Sequence, residues 1–103
     1  MSPADHRSRP TYCFSVFAAA EASVMPRVLE LFAKRGLAPK RFYADIAGAG
    51  ADELTIDVQA DGLAAHTAEH IARSLRQIVH VDRVLTAIKA RAIEPAAASE
   101  SGR

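Results

Sequence analysis

Between Glu53 and Ala60 the chain alternates without interruption: Leu54, Ile56, Val58 and Ala60 are apolar, while Glu53, Thr55, Asp57 and Gln59 are polar. A period of two sustained over such a run marks a β-strand with one buried face and one solvated face. A strand inside a two-sided parallel sheet would be apolar on both faces. This one belongs in an antiparallel sheet covered on one side only. The rest of the chain has to supply that cover.

The clearest cover is the stretch from Ser23 to Gly36. Met25, Val28, Leu29 and Phe32 recur at helical spacing and form one apolar stripe. Ser23 is placed to cap the helix, with its hydroxyl accepting a first-turn N–H. Pro26 sits in the first turn, where a missing N–H costs little. Lys34 and Arg35 suit the negative end of the helix dipole, and Gly36 can take the left-handed conformation that ends a helix. Upstream, Tyr12, Phe14, Val16 and Ala18 alternate with Cys13, Ser15 and Phe17 as a strand. Downstream, Arg41 to Ala47 alternates again, with Phe42, Ala44 and Ile46 expected on the inner side. Gly48 to Asp52 is long enough for a hairpin loop into the Glu53 strand. Asp61-Gly62 ends that strand. A second helix is expected from about Leu63 to Ile78, with Leu63, Thr67, Ile71, Leu75 and Ile78 inward, and a last strand from Val79 to Ile88.

Strand, helix, strand, strand, helix, strand describes an α+β chain: a ferredoxin-like βαββαβ sandwich, with a four-stranded antiparallel sheet and two helices on one face. With 103 residues there is room for one domain, expected over residues 11–89. Residues 1–10 read as a polar leader and residues 90–103, rich in Ala, Ser, Glu and Pro, as a tail. Half the residues are apolar, but many are alanine, so the core is modest and self-association would help it. The net charge of +1 gives no electrostatic reason to bind nucleic acid or a membrane surface. The single Cys13 cannot form an internal disulfide. A lone thiol, with no apolar signal core and no run of membrane-spanning length, makes the cytoplasm the expected location.

This fold serves many functions, so function has to be read from sites. A metal chaperone of this shape needs a cysteine pair in its first loop, and Ala19 to Ser23 has none. An RNA-binding sheet needs exposed aromatics on its central strands, where this chain has Glu53, Thr55, Asp57 and Gln59. A phosphatase-like first loop needs an arginine, and none lies between Thr11 and Pro26. His66-Thr-Ala-Glu69-His70 matches an inverted zinc-protease pattern, with two histidines one helical turn apart. A hydrolase would also need a third ligand and a cleft, so His66 and His70 are kept only as an alternative, weak metal site. No nucleophile–base pair is apparent, no catalytic residue is assigned, and no cofactor is expected.

The segment from Phe14 to Gly36, with its Arg27-Val-Leu-Glu-Leu-Phe-Ala-Lys-Arg-Gly36 run, resembles the opening of an ACT domain. It is most similar to the small regulatory subunit of acetolactate synthase, in its short, single-domain form. Leu75, Ile78, Val81 and Val84, spaced by three, resemble the ending of that family. The resemblance implies a non-catalytic regulatory protein of branched-chain amino acid biosynthesis. It further implies a homodimer with sheets side by side, contacting a large catalytic subunit that carries thiamine diphosphate, flavin and magnesium. It places an amino-acid effector at the first loop and helix start, here Ala20, Glu21, Ala22, Ser23, Val24 and Met25, together with Ala38. At three of these positions the family's residues are replaced: a loop Asn by Ala20, a loop Gly by Ser23 and a second Asn by Ala38. Valine is therefore not expected to bind strongly in the family's usual way. Phe17 and Tyr43, on the sheet face away from the helices, are the expected partner contacts. A free-standing ACT sensor for another small molecule is the alternative.

Overall fold

The computed structural model describes residues 9–89. Six elements follow in the expected order: β1 (Thr11–Ala19), α1 (Val24–Lys34), β2 (Arg41–Ala47), β3 (Glu53–Ala60), α2 (Ala65–Arg76) and β4 (Val81–Lys89). All strand pairings are antiparallel, and the sheet order is β2-β3-β1-β4, so β2 and β4 are the edges. The leader and tail expected over 1–10 and 90–103 fall, apart from Arg9 and Pro10, outside the described residues.

Register places the two faces. Tyr12, Phe14, Val16 and Ala18 of β1 stand opposite Ala60, Val58, Ile56 and Leu54 of β3. All eight are buried and form the floor under the helices. Val24, Val28 and Phe32 descend from α1, and Ala68, Ile71, Ala72 and Leu75 from α2. Phe32 meets Phe14 edge to face, ring centres 5.8 Å apart, an arrangement that adds to simple area burial. The open face carries Cys13, Ser15 and Phe17 beside Gln59, Asp57 and Thr55. There Ser15 Oγ donates to Asp57 Oδ1 at 3.0 Å.

Both helices are shorter or rotated relative to the sequence expectation. The buried stripe of α1 is Val24, Val28 and Phe32, with Met25 partly buried, while Leu29 is 42% exposed. Leu29 lies one position round the helix from Val28, beyond the width of sheet available to cover it. On β2, Phe42 and Ala44 are partly buried as expected but Ile46 is 53% exposed, because the edge strand extends past the helical layer. α2 begins at Ala65 rather than Leu63, whose side chain is nonetheless buried. Its inner stripe uses Ala68 and Ala72 alongside Ile71 and Leu75, with Thr67 and Ile78 only partly buried. Small residues there let the helix sit close to the sheet. β4 begins at Val81, after a turn through Val79 and His80.

Gly36 ends α1 as expected, at φ +70°. Its N–H bonds to Ala33 O and that of Leu37 to Phe32 O, both at 2.9 Å, which is the paired-bond helix ending that a left-handed glycine permits. Ser23 differs from expectation. Its backbone is already helical (φ −77°, ψ −15°) and its hydroxyl makes no cap bond. An N-cap side chain reaches its N–H only from an extended backbone, and this one does not have it.

Candidate functional site

The loop between β1 and α1 is held between two others. Ala19 N–H donates to His80 O and Ala20 N–H to Asp52 O, each at 3.0 Å. The first bond ties the loop to the turn before β4, and the second ties it to the β2–β3 hairpin. Both anchors are strained: His80 has φ +78°, and Ala51, next to Asp52, has φ +53°. Side-chain-bearing residues rarely hold such angles unless surrounding structure fixes them. Glu21 N–H turns back to Ala19 O at 2.8 Å, and Val24 N–H bonds to Glu21 O at 3.1 Å. Four backbone donors, from the end of β1 through the loop to the first residue of the helix, are thus committed within the protein.

Pro26 supplies no N–H at all. Ala20 is half-buried, Glu21, Ala22 and Ser23 are exposed, Val24 is in the core and Met25 packs against it. Beside the loop, Ser23, Pro26, Arg27 and Glu30 wall a shallow open depression. Glu30 lies 3.8 Å from Lys34 one turn further along α1, both exposed. Ala38 lies elsewhere, past the far end of α1, which at 11 residues is about 16 Å long. A single chain brings six of the seven expected effector residues together and leaves Ala38 at the opposite end of the sheet.

Phe17 and Tyr43 both face away from the helices. Tyr43, on edge strand β2, is 54% exposed. Phe17 is only half-exposed, because the Arg83 guanidinium lies 4.3 Å over its ring centre. Arg83 stands opposite Phe17 just before a bulge in the β1–β4 pairing. Sequence reasoning missed that cover, since it depends on the register between first and last strands. It also missed Ile46, Leu85 and Ile88, which stand 53%, 50% and 61% exposed along the two sheet edges. The signal was available in principle: in this strand order the second and fourth strands are edges, so their apolar residues cannot all be covered.

His66 and His70 are exposed on α2. Among the described residues no group of three or more His, Cys, Asp or Glu side chains is placed to hold a metal. None of the described helices is long and apolar enough to cross a membrane.

The fold is a one-sided α+β sandwich whose first loop is clamped between two turns. The family model for the ACT-like domain matches residues 5–92, nearly the whole chain, and the protein belongs to that family. Domains of this kind are generally regulatory and non-catalytic. Among solved structures the chain is similar to the C-terminal domain of the MgtC protein from Mycobacterium tuberculosis. The TM-score is 0.63 at 15% identity, with 81% of this chain and 90% of that one covered. At that identity the likeness concerns the fold alone. No curated protein matches the chain.

Proposed function

We propose that this chain is a regulatory ACT-like domain that works as a symmetric pair joined at the β2 edges and acts on an enzyme by contact. The observation that carries this reading is the β2 edge itself. Tyr43 on one face and Ile46 on the other are each more than half exposed, and the neighbouring helix α1 exposes Leu29. An edge strand with large apolar residues on both faces invites another strand. Pairing β2 with its own copy about Ala44 sets Phe42 against Ile46, Tyr43 against Asp45 and Arg41 against Ala47, with no like charges opposed. The same pairing carries Ala38 of the second copy toward the hairpin end of the first. The effector position assembled from Ala20–Met25 and Ala38 is then completed only between chains.

The partner that the Arg27–Gly36 run points to is the large subunit of acetolactate synthase. In this reading the small subunit raises the activity of the large one and is not controlled by valine. The committed donors of Ala19, Ala20, Glu21 and Val24 support valine insensitivity. So do Pro26 and the loss of amide side chains at positions 20 and 38, since a buried ligand with unpaired polar groups loses much of its affinity. Mixing the protein with an acetolactate synthase large subunit tests the assignment. Co-elution and a rise in synthase activity, unaltered by valine, are expected. Unchanged activity and separate elution would remove this enzyme as the partner while leaving the pairing at β2 to be measured by itself.

A further inference from the structure

A groove of about 450 Å³ opens between α2 and β4. It reaches Tyr12, near the start of β1, whereas the effector loop follows Ala19 at the strand's other end. About 23 Å of strand separates the two places. The groove's wall is one side of α2, on which Glu69, Ala72 and Arg76 recur at helical spacing. Alanine at 68 and 72 leaves open the space over the sheet that longer side chains would fill. Thr86 of β4 lies at the base with Tyr12, on the helix side of the sheet because it opposes Phe14 in register.

We infer that this groove binds a small elongated zwitterion, an aliphatic chain with an ammonium at one end and a carboxylate at the other. This goes beyond the reading above, which uses only the first loop and the β2 edge. Tyr12 carries the inference. Its ring is stacked on Phe14, with centres 6.4 Å apart, and the residue is only 7% exposed. Among the described residues its hydroxyl has no hydrogen-bond partner. Buried tyrosine hydroxyls usually have one. The groove that Tyr12 lines is the approach by which a ligand supplies it.

The two ends of the groove differ in charge. Arg76 donates from Nη2 to Val84 O at 3.3 Å, and Val84 opposes Val16, four residues along β1 from Tyr12. That bond fixes the arginine end and leaves the other N–H groups of the guanidinium for a ligand. Arg73 stands beside it, exposed. Glu69 lies seven residues before Arg76, about 10 Å back along the helix axis, on the Tyr12 side. Glutamate four residues ahead of arginine is the favourable order for a pair on a helix, yet Glu69 and Arg73 make no ion pair among the described residues. Both charges are open to a ligand. A carboxylate then meets Arg73 and Arg76, an ammonium donates to Glu69 and to the Tyr12 hydroxyl, and the aliphatic chain lies over Ala68 and Ala72. The Arg76–Val84 bond stays in place throughout.

Amide NMR titration of the full chain with 6-aminohexanoate tests the inference, with hexanoate and hexylamine as probes that each lack one end. Shifts are expected at Tyr12, Ala68, Ala72 and Thr86. At low salt 6-aminohexanoate should bind about threefold or more tightly than either single-ended probe. Arg73→Gln should weaken 6-aminohexanoate and hexanoate alike, by roughly threefold to tenfold. Tyr12→Phe should weaken 6-aminohexanoate by a similar factor and leave hexanoate unchanged. It should also leave the melting temperature of the ligand-free chain no lower than the parent's. A fall in that temperature would show that the hydroxyl is already satisfied inside the protein, and would overturn the site. Equal binding of the three probes would overturn it too, as would groove amides that stay unmoved at the highest probe concentration. Shifts centred on Ala20–Met25 would place the ligand at the first loop and overturn it as well. Neither the β2 pairing nor the identity of the partner enzyme enters this measurement, so either can fail while the groove stands.

Discussion

Replacing Ile46 by threonine isolates the β2 contact from the fold. Ile46 is 53% exposed, so little of the core depends on it, and threonine keeps the β-branch that favours a strand. In the paired edge Ile46 faces Phe42 of the second copy on the helix side and loses its remaining access to water. The substitution removes Cδ1 and exchanges Cγ1 for a hydroxyl, a loss of two apolar carbons worth about 1.6 kcal/mol at full burial by the usual figure per methylene. About half of that burial is new on pairing, which leaves ~0.8 kcal/mol per chain. The twofold axis counts it twice, for about 1.6 kcal/mol per dimer, or a dimer dissociation constant raised roughly fifteenfold. Sedimentation equilibrium across a concentration series reads the constant, and thermal melting of dilute protein reads the isolated domain. A dissociation constant within twofold of the parent would refute the assignment of β2 as the pairing edge. A fall in the dilute melting temperature of more than a few degrees would refute the claim that Ile46 lies outside the core.

Ser23→Ala should change stability by under ~0.5 kcal/mol in urea denaturation, against about 1 kcal/mol for a true N-cap, because its hydroxyl makes no cap bond. Gly36→Ala and Gly48→Ala should separate clearly. Both glycines hold positive φ, but a Cβ at Gly36 meets nothing within 4 Å, whereas at Gly48 it would stand 2.6 Å from Asp52 Oδ1. The first should cost about 1 kcal/mol from backbone strain alone, the second measurably more, and equal values by urea denaturation would contradict this geometry. Phe32→Ala removes a fully buried ring packed on Phe14 and should cost ~3–5 kcal/mol, enough to show as a large fall in melting temperature.

The β3 alternation was legible because strand periodicity and burial coincide in a central strand: each of its apolar residues has a helix above it and a strand on either side. The same rule applied to β2 put Ile46 inside, and helical spacing applied to α1 put Leu29 inside. Periodicity reports which way a residue points, and both residues point where the pattern says. How far the opposing layer extends is a property of the assembled fold. Ser23 failed for a different reason. Its chemistry suits a cap, but capping needs an extended backbone at that residue, and the turn Glu21–Val24 imposes a helical one. The positive φ of Ala51 and His80 left no trace in residue type, since nothing about an alanine or a histidine announces a left-handed conformation. The effector loop could be located by resemblance, whereas the spending of its donors on Ala19, Glu21, Asp52 and His80 carbonyls was visible only in three dimensions.

That spending links the loop to the edges. Ala20 is tied to Asp52, at the end of the hairpin that delivers β2, and Ala19 is tied to His80, immediately before β4 begins. Any movement of the loop must therefore pull on the turn that leads to one sheet edge or the other. The strained angles of Ala51 and His80 mark the two points where that coupling would act, because a residue held at positive φ by its neighbours relaxes when they shift. The arrangement gives a direction to regulation in a domain of a generally regulatory family. Replacing His80 by glycine relieves strain at the β4 anchor while keeping its carbonyl bond to Ala19. It should raise stability slightly, by up to about 1 kcal/mol, and leave the β2 contact unchanged. A loss of stability would mean that the His80 side chain, rather than its backbone, holds the loop.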